Sequence, residues 1–418
     1  MRIENLGAWS EAQWIDVALR MVSLPGAAWL DGDGSSDLGA TSWLAAEPVE
    51  VVRSKRSLEA LRSLRTPGGS DDVPHWIGYI AYDAGVTSRH ARPGDAMYFA
   101  RYDALLRRDA EGNVQAFAED ETALTRLRRR MESSRPALRA PSIHALRVTP
   151  ADAHADAIER ARAYIAAGDI YQVNLARCWD AAFEGSPLAL CLAMREASPV
   201  PLGLYLDGFD HQVCARTMER FVRWAPDAEG RGPVETRPIK GTVRREGNDD
   251  VESDALRSDP KERAEHAMIV DLMRNDLGRL AEVGSVEVVR PLDVEPYAKL
   301  HHLVTTVRAT TRPGTTLEDV VAATFPPGSV TGAPKLRAIE IIDELEESAR
   351  GVYCGAIGFV DRSGGANFAV AIRTAVVRDQ RVRYFAGGGL VWPSVAAKEV
   401  AETELKARVF LDALERIG

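Results

Sequence analysis

The chain has 418 residues, 45% of which are hydrophobic, and its formal net charge is -9. That apolar fraction is sufficient for a large core, and the ordinary counts of 33 Gly and 22 Pro do not suggest a fibrous or disordered protein. The acidic balance disfavours nucleic-acid binding, which usually needs a basic patch. The four cysteines are scattered and lack the spacing of metal ligands. The N-terminus shows no basic segment followed by an apolar run, as a signal peptide would. No apolar stretch approaches the ~20 residues needed to span a bilayer. We therefore expect a cytoplasmic protein.

In chain order, residues 1–118 alternate short strand-like segments with turns and form an N-terminal region. Residues 119–148 predict a charged helix and a proline-containing connector, which together make a helical linker before a catalytic region at 149–418. A helix that ends at Gly168 is followed by a segment with the alternating apolar pattern of a strand. Strands and helices continue to the C-terminus, so the predicted class is α/β or α+β.

Two predicted helices each carry a pair of glutamates three residues apart. Glu262 and Glu265 lie on the helix predicted for 259–280, and Glu399 and Glu402 lie on the C-terminal helix. This spacing puts both carboxylates of a pair on one helix face. Two such faces turned towards each other would form an all-oxygen site that favours Mg2+ over iron or zinc. Either pair alone is also typical of a solvated helix surface.

Lys240 stands between a proline-bearing segment and a glycine in TRPIKGT, residues 236–242. A lysine on such backbone can approach a ligand closely. Burial would lower its pKa and make the amine a nucleophile. A lysine on a surface turn is the alternative interpretation.

Two glycine-rich segments could bind an anion through backbone amides. AGGGLV at 386–391 lacks the Lys-Ser/Thr of a P-loop, and GSVTGAP at 328–334 opens a predicted helix. Either could instead be a tight turn. Arg373 interrupts the apolar strand predicted for FAVAIRTAVV, so it needs a carboxylate partner from a ligand or from the protein. His301 and His302 are either core histidines or a general acid or base.

Nine sequence blocks, taken together and in order, resemble the chorismate-utilising enzymes. That family includes the first components of anthranilate synthase and aminodeoxychorismate synthase, isochorismate synthase and salicylate synthase. The matching blocks are GDIYQVNLA at 168–176, RPIKGT at 237–242, KERAEHAMIVDLMRNDLGR at 261–279, HHLVTTV at 301–307, FPPGSVTGAPKLRAIEIIDELE at 325–346, YCGAIGF at 353–359, AIRTA at 371–375, AGGGLV at 386–391 and ETELKA at 402–407.

The resemblance implies a fold and a set of site residues. The fold is one large unit with two stacked antiparallel β-sheets flanked by helices, in which N- and C-terminal parts share the core. The four glutamates would hold Mg2+, which neutralises the ring carboxylate of chorismate, and Glu219 matches the general acid that protonates the leaving 4-hydroxyl. The other matching catalytic and substrate-binding positions are Gln172, Thr242, His302, Thr331, Tyr353, Arg373, Gly387, Gly388, Gly389 and Lys406.

Two positions bear on the reaction. Family members that add water have a lysine where this chain has Gln172, and anthranilate synthases have an alanine where it has Lys240. The P-I-K-G-T form is similar to the aminodeoxychorismate branch, in which the lysine attacks C2 as the 4-hydroxyl leaves and ammonia then attacks C4 and expels the lysine. The resemblance thus implies that chorismate becomes 4-amino-4-deoxychorismate, for 4-aminobenzoate and folate.

The resemblance also implies a partner. The cysteines lack the sequence context of a glutaminase nucleophile, so we expect a separate glutamine amidotransferase subunit to supply ammonia, and no appended lyase. The chain departs from the family pattern at Met218, at Trp392-Pro393 and at LDGDGSS, where relatives bind tryptophan. The alternatives are an anthranilate synthase component I and a catalytically inactive subunit that binds chorismate or tryptophan.

Overall fold

The computed structural model describes residues 1–34, 38–55, 57–68, 72–245, 247–297 and 300–415, and the side chains of Thr242, Arg244 and Lys261 lie outside this description. The α-helices are α1 (Glu11–Met21), α2 (Glu121–Met131), α3 (Ala151–Ala167), α4 (Pro187–Ala197), α5 (Asp249–Ser258), α6 (Pro260–Gly278), α7 (Leu317–Thr324), α8 (Lys335–Leu345) and α9 (Ala396–Glu415).

The strands are short for the most part. They are β1 (Arg2–Ala8), β2 (Ala28–Asp31), β3 (Thr41–Ala45), β4 (Glu50–Ser54), β5 (Pro74–Ile80), β6 (Met97–Arg101), β7 (Ala104–Asp109), β8 (Asn113–Ala118), β9 (Ser142–Val148), β10 (Gln172–Glu184), β11 (Leu202–Asp207), β12 (His211–Thr217), β13 (Arg220–Trp224), β14 (Pro233–Arg237), β15 (Ile239–Arg244), β16 (Glu287–Pro296), β17 (Leu300–Thr310), β18 (Gly332–Ala333), β19 (Ala356–Asp361), β20 (Ala366–Val370), β21 (Thr374–Arg378) and β22 (Arg381–Leu390).

These strands form two large antiparallel sheets, as predicted. In the described residues, the first sheet has 12 strands in the order β1-β8-β7-β3-β2-β11-β12-β21-β22-β10-β18, with β9 also paired to β10. The second sheet has 10 strands in the order β15-β17-β14-β13-β20-β19-β5-β6-β4, with β16 also paired to β17. Residues from before and after the predicted linker therefore occur in both sheets, and the linker region itself contains α2 and all of β9.

The sheets stack face to face. Tyr79 and Tyr98 of the second sheet belong to one buried cluster with Leu204 and Val213 of the first. Interlocking side chains of this kind are what allow two sheets to bury their inner faces.

Helices cover the outer faces of both sheets. Trp14, Leu127, Met194 and Phe410 from α1, α2, α4 and α9 pack on the first sheet, and Ile269 of α6 packs on the second. Helices α3 and α8 pack around the start of β10 and form a separate cluster of buried apolar side chains with it. No helix in the described ranges is both long and apolar enough to cross a lipid bilayer.

Candidate active site

Lys240 lies at a β-bulge, not in the turn that its flanking proline suggested. Strand β15 pairs with β17, and the register shifts between Ile239 and Thr242. Gly241 absorbs this shift with φ +88, a conformation that favours glycine. The Lys240 side chain is only 16% exposed, and its Nζ lies 4.0 Å from Glu265 Oε2. The bulge thus directs the amine towards the interior beside helix α6.

Burial is the main reason that the pKa of Lys240 lies below its usual range. The positive charge of Lys406 lowers this pKa further, whereas the carboxylates of Glu265, Glu402 and Glu219 oppose the shift. The lowered pKa increases the neutral fraction of the amine, which is the nucleophilic form. These same charges also indicate that acidic groups from α6, α9 and the β12–β13 connection surround one amine.

The glycine run is part of a strand, so the alternative of a tight turn is wrong. Gly387, Gly388 and Gly389 lie inside β22, opposite Ala176, Leu175 and Asn174 of β10. A Cβ added to Gly389 would overlap Lys240 Nζ and lie 2.7 Å from Gln172 Nε2. Glycine is therefore required at position 389 for space rather than for an unusual backbone conformation.

The amides of Gly387 and Gly389 face away from β10. The residues opposite them do not bond to β22, because Asn174 donates its amide to Thr331 O at 2.8 Å and Ala176 donates to Glu346 Oε1 at 2.9 Å. When one residue of a directly opposed antiparallel pair turns its backbone N–H away from the partner strand, the residue opposite it does the same. Among the described strands, β21 pairs with β22 only as far as Tyr384. The glycine amides thus lie on an open sheet edge where a carboxylate could bind.

Lys406 and Arg373 lie along this open edge. Lys406 Nζ donates to Gly387 O at 2.9 Å and lies 2.6 Å from Glu402 Oε1. Arg373 immediately precedes β21, with φ +50, so its predicted position inside a strand is wrong. Burial lowers the pKa of Arg373, and within the described ranges no carboxylate lies within ion-pair distance of it. Its Nη1 donates instead to Ser198 Oγ at 3.5 Å, so a ligand carboxylate would supply the missing charged partner of this guanidinium.

Glu219 and Arg373 occupy the two connections that carry the chain between the sheets beside the site. Glu219 follows β12 of the first sheet and precedes β13 of the second, while Arg373 lies between β20 and β21. The connections are hydrogen bonded to their neighbours, with Val370 N to Glu219 O at 2.9 Å and Arg216 N to Arg373 O at 3.1 Å. Sheet crossing thus brings an acid and a cation to one place.

The Glu219 carboxyl is buried, and burial raises its pKa to about 7. The Ser329 side chain, the charge of Lys240 and the Ile239 amide oppose this shift. A carboxyl with this pKa is partly protonated at neutral pH and can act as a general acid. Met218, the departure noted in the sequence, is buried beside it.

His302 lies on β17 opposite Thr242 in the register, and its ring contacts Tyr297 edge-on at 5.0 Å. Burial and the positive charges of Arg373 and Lys406 lower its pKa to about 3, while a backbone hydrogen bond with Gly241 opposes the shift. The imidazole is therefore neutral near pH 7, so it can act as a hydrogen-bonding group but not as a cationic acid.

Thr331 and Tyr353 are held by the protein itself. The Thr331 hydroxyl donates to Pro327 O and Gly328 O, both at 3.2 Å. The Tyr353 ring stacks on Phe385 at 5.2 Å, two residues before Gly387. Both residues are buried. In this structure their contacts are therefore with the protein itself.

The four predicted metal ligands approach from two helices. Glu262 Oε2 would lie 3.1 Å from a Cβ on Gly241, next to Lys240. Glu399 Oε2 and Glu402 Oε1 would lie 3.4 Å and 3.5 Å from a Cβ on Gly388. The carboxylates of α6 and α9 therefore flank the same lysine-and-glycine region. Four carboxylates from these helices would offer the hard oxygen donors that suit Mg2+.

Sequence reasoning missed a second cluster nearby. Asp249 and Glu252 on α5 lie within 3.2 Å and 3.1 Å of His301 Nε2. Arg245 also donates to both carboxylate oxygens of Asp249, at 2.7 Å and 2.6 Å. The helix itself was not predicted, so the local spacing of Asp249 and Glu252 gave no signal. These bonds make His301 a tightly held structural residue.

Arg350 is a further residue that the motifs did not indicate. Its guanidinium pairs with Glu346 at 2.6 Å and donates to Val330 O at 2.9 Å and Asn174 O at 2.7 Å. This buried, fully paired arginine ties β10 to the segment before Thr331. A Glu-Arg pair four residues apart was the only local signal.

Comparison with known proteins identifies the family. The profile of the chorismate binding enzymes matches residues 24–412. Anthranilate synthase component 1 of Aquifex aeolicus (strain VF5) is 44% identical over 264 residues, which is 62% of this chain and 52% of that protein. Aminodeoxychorismate synthase component 1 of Klebsiella aerogenes is 41% identical over 259 residues, which is 61% of this chain and 56% of that protein. The matched part of this chain spans about half the length of these relatives.

Solved structures show the same fold. Anthranilate synthase component I from Streptococcus pneumoniae TIGR4 superposes with a TM-score of 0.76 at 28% identity, covering 90% of this chain and 93% of that chain. The menaquinone-specific isochorismate synthase MenF from Escherichia coli has a TM-score of 0.76 at 20% identity, covering 99% and 94%. With its two antiparallel sheets flanked by helices, this chain belongs to the chorismate binding enzyme family.

Proposed function

We propose that this protein is the synthase component that converts chorismate and ammonia into 4-amino-4-deoxychorismate. The observation that carries the proposal is the Lys240 amine, which is directed inward by a bulge, lies beside Gly389 and has a lowered pKa. Relatives named as anthranilate synthase and as aminodeoxychorismate synthase are similarly identical to this chain, at 44% and 41%. Overall identity therefore does not separate the two reactions, whereas an amine at position 240 favours covalent capture.

The first step would form a bond between Lys240 Nζ and C2 of the ring. The ring double bonds shift, the C4–O bond breaks, and Glu219 protonates the departing hydroxyl to give water. The proton that the lysine nitrogen loses returns to the carboxylate. Ammonia then attacks C4 and gives up a proton, the double bonds shift back, and the C2–N bond to Lys240 breaks as the lysine nitrogen takes a proton from Glu219. Overall, ammonia replaces the 4-hydroxyl group and one water molecule is released.

The surrounding residues would orient the substrate for these steps. The outward amides of Gly387 and Gly389, together with Arg373 and Lys406, offer positive partners for one carboxylate. His302 would add a neutral hydrogen-bonding group, and Gln172 lines the path beside Lys240. Thr331 and Tyr353 would bound the cavity, and the Thr242 side chain lies outside the described residues.

The four glutamates of α6 and α9 would hold Mg2+. Their donor set and their position beside the lysine-and-glycine region support this assignment. When bound, Mg2+ would neutralise the ring carboxylate and make the ring a better electrophile.

A glutamine amidotransferase subunit would supply the ammonia. The relatives carry the designation component 1, which supports a two-component enzyme. We place the enzyme in the cytoplasm and its product on the route to 4-aminobenzoate and folate.

The test of the reaction is the identity of the product. The full chain is incubated with chorismate, Mg2+ and ammonium, and products are separated and weighed by mass spectrometry. We expect 4-amino-4-deoxychorismate, which yields 4-aminobenzoate only after a separate lyase is added. Anthranilate and pyruvate released without a lyase would instead establish the anthranilate synthase reaction. Binding of chorismate without turnover, even at high ammonium, would indicate an inactive subunit.

The pH dependence of kcat should report the protonation of the Glu219 carboxyl. Because the acid must be protonated and its pKa is about 7, kcat should fall as pH rises through about 7. Glu219→Gln should lower kcat by about 100-fold and remove this falling limb. The measurement is kcat against pH at constant free ammonia and saturating chorismate. A variant that keeps the wild-type kcat and the falling limb would show that another group donates the proton.

A further inference from the structure

Two amide side chains beside Lys240 are buried with unpaired polar atoms. Within the described residues, neither Gln172 Oε1 nor Gln172 Nε2 has a hydrogen-bond partner, and Asn174 Oδ1 has none. The two side chains are 0% and 8% exposed, so bulk water does not satisfy them either. A buried polar group without a hydrogen-bond partner destabilises the folded protein. Such atoms next to a proposed reacting amine point to a ligand that pairs with them.

The two amides share one face of strand β10. Gln172 and Asn174 are two residues apart, and alternate residues of a strand project to the same side. Val173 and Leu175, between and beyond them, belong instead to the cluster enclosed by α3 and α8. Asn174 lies directly opposite Gly389 in the sheet. Because Gly389 has no side chain, Lys240 Nζ and the Gln172 amide occupy the space where a Cβ would lie. Asn174 therefore faces the same space as the amine.

The backbone of Asn174 is fixed on both sides. Its N–H donates to Thr331 O at 2.8 Å, and its carbonyl accepts from Arg350 Nη2 at 2.7 Å. These bonds engage the backbone and leave Oδ1 as the unsatisfied acceptor. The side chain is thus held in place without a protein partner for its oxygen, which is how a preorganised binding group is built.

We propose that Asn174 Oδ1, together with the Gln172 amide, binds the attacking ammonia. This inference rests on the proposed function and adds to it a residue that positions the nucleophile. Ammonia has three N–H donors and one lone pair. Carboxamide oxygens accept the N–H groups and leave the lone pair directed at the ring. They are also neutral, so they do not favour ammonium, which has no lone pair, as a carboxylate would.

The test is the KM for ammonia in an Asn174→Leu variant, which removes the oxygen at nearly constant volume. Loss of one buried hydrogen bond should raise this KM by about tenfold. The KM for chorismate should stay within about twofold, and the Lys240 adduct should still form from chorismate without ammonia, because Asn174 acts only in the second step. Asn174→Ala removes the same oxygen without a branched side chain and should show the same pattern.

The matched control is Asn367→Leu, the same change in strand β20, at a residue that lines a separate cavity between the sheets. It should leave the KM for ammonia unchanged. An unchanged ammonia KM in both Asn174 variants would overturn the proposal, as would loss of the adduct in variants that still melt cooperatively. Because an anthranilate synthase would also consume ammonia, the wild-type product tests the proposed function separately from this KM.

Discussion

Lys240→Ala should abolish the covalent adduct and lower kcat by about 100-fold or more, which corresponds to roughly 2.7 kcal/mol of activation free energy. The substitution removes the amine that lies 4.0 Å from Glu265 and beside Gly389, so no group on the bulge can capture C2. The remaining rate would come from direct attack by ammonia in a site that still binds chorismate. The adduct is measured as the mass gained by the intact protein during turnover, and peptide mapping locates it.

Lys55→Ala provides the control for this prediction. Lys55 is an exposed lysine that directly follows strand β4, at the edge of the second sheet away from the site. Its removal should leave both the adduct and kcat at wild-type values. If Lys240→Ala turned over at the full rate, or if the mapped adduct lay on a different residue, the nucleophile would have to be sought elsewhere.

The family and the fold could be predicted from the sequence because both depend on many residues at once. The stacked antiparallel sheets and their covering helices agree with that prediction. A single residue can also be enough to predict where a helix ends. The predicted end at Gly168 is confirmed, because Gly168 has φ +84 and follows the last residue of α3. The helix predicted for 259–280 is α6, but the separate helix α5 before it was missed.

The local structure around the site was harder to predict because it depends on distant pairing. The segment VRYFAGGGLV has the pattern of a strand, but its three glycines also favour a turn, and pairing with β10, about 200 residues earlier in the chain, decides for the strand. Arg373 lies in an apolar run that favours a strand, but the chain leaves the second sheet there and enters the first. This crossing between the sheets has no local sequence signal.

Asn174 shows the same limit for the site itself. In the sequence it is one polar residue in an alternating strand, which has no special meaning. Its importance depends on the missing partner of Oδ1 and on the glycine opposite it, and both are known only in three dimensions.

Gly389→Ala should lower kcat by on the order of 100-fold while the protein remains folded. The added methyl group would overlap Lys240 Nζ and crowd the Gln172 amide, so it must displace the reacting amine. A displacement of about 1 Å can cost this factor in rate. The atoms it meets are the ends of flexible side chains rather than backbone, and Gly389 does not have a positive φ. We therefore expect Tm to shift by less than about 4 °C.

Gly278→Ala separates this steric effect from the general cost of replacing a glycine. Gly278 ends helix α6 without a positive φ, and a Cβ there would meet nothing within 4 Å. It should leave both kcat and Tm near the wild-type values. Parallel measurements of kcat, of adduct yield and of thermal melting on the two variants decide the matter. Wild-type kcat in Gly389→Ala would mean that Lys240 reacts from a position other than the one beside β22, because the methyl group and the amine cannot occupy the same space.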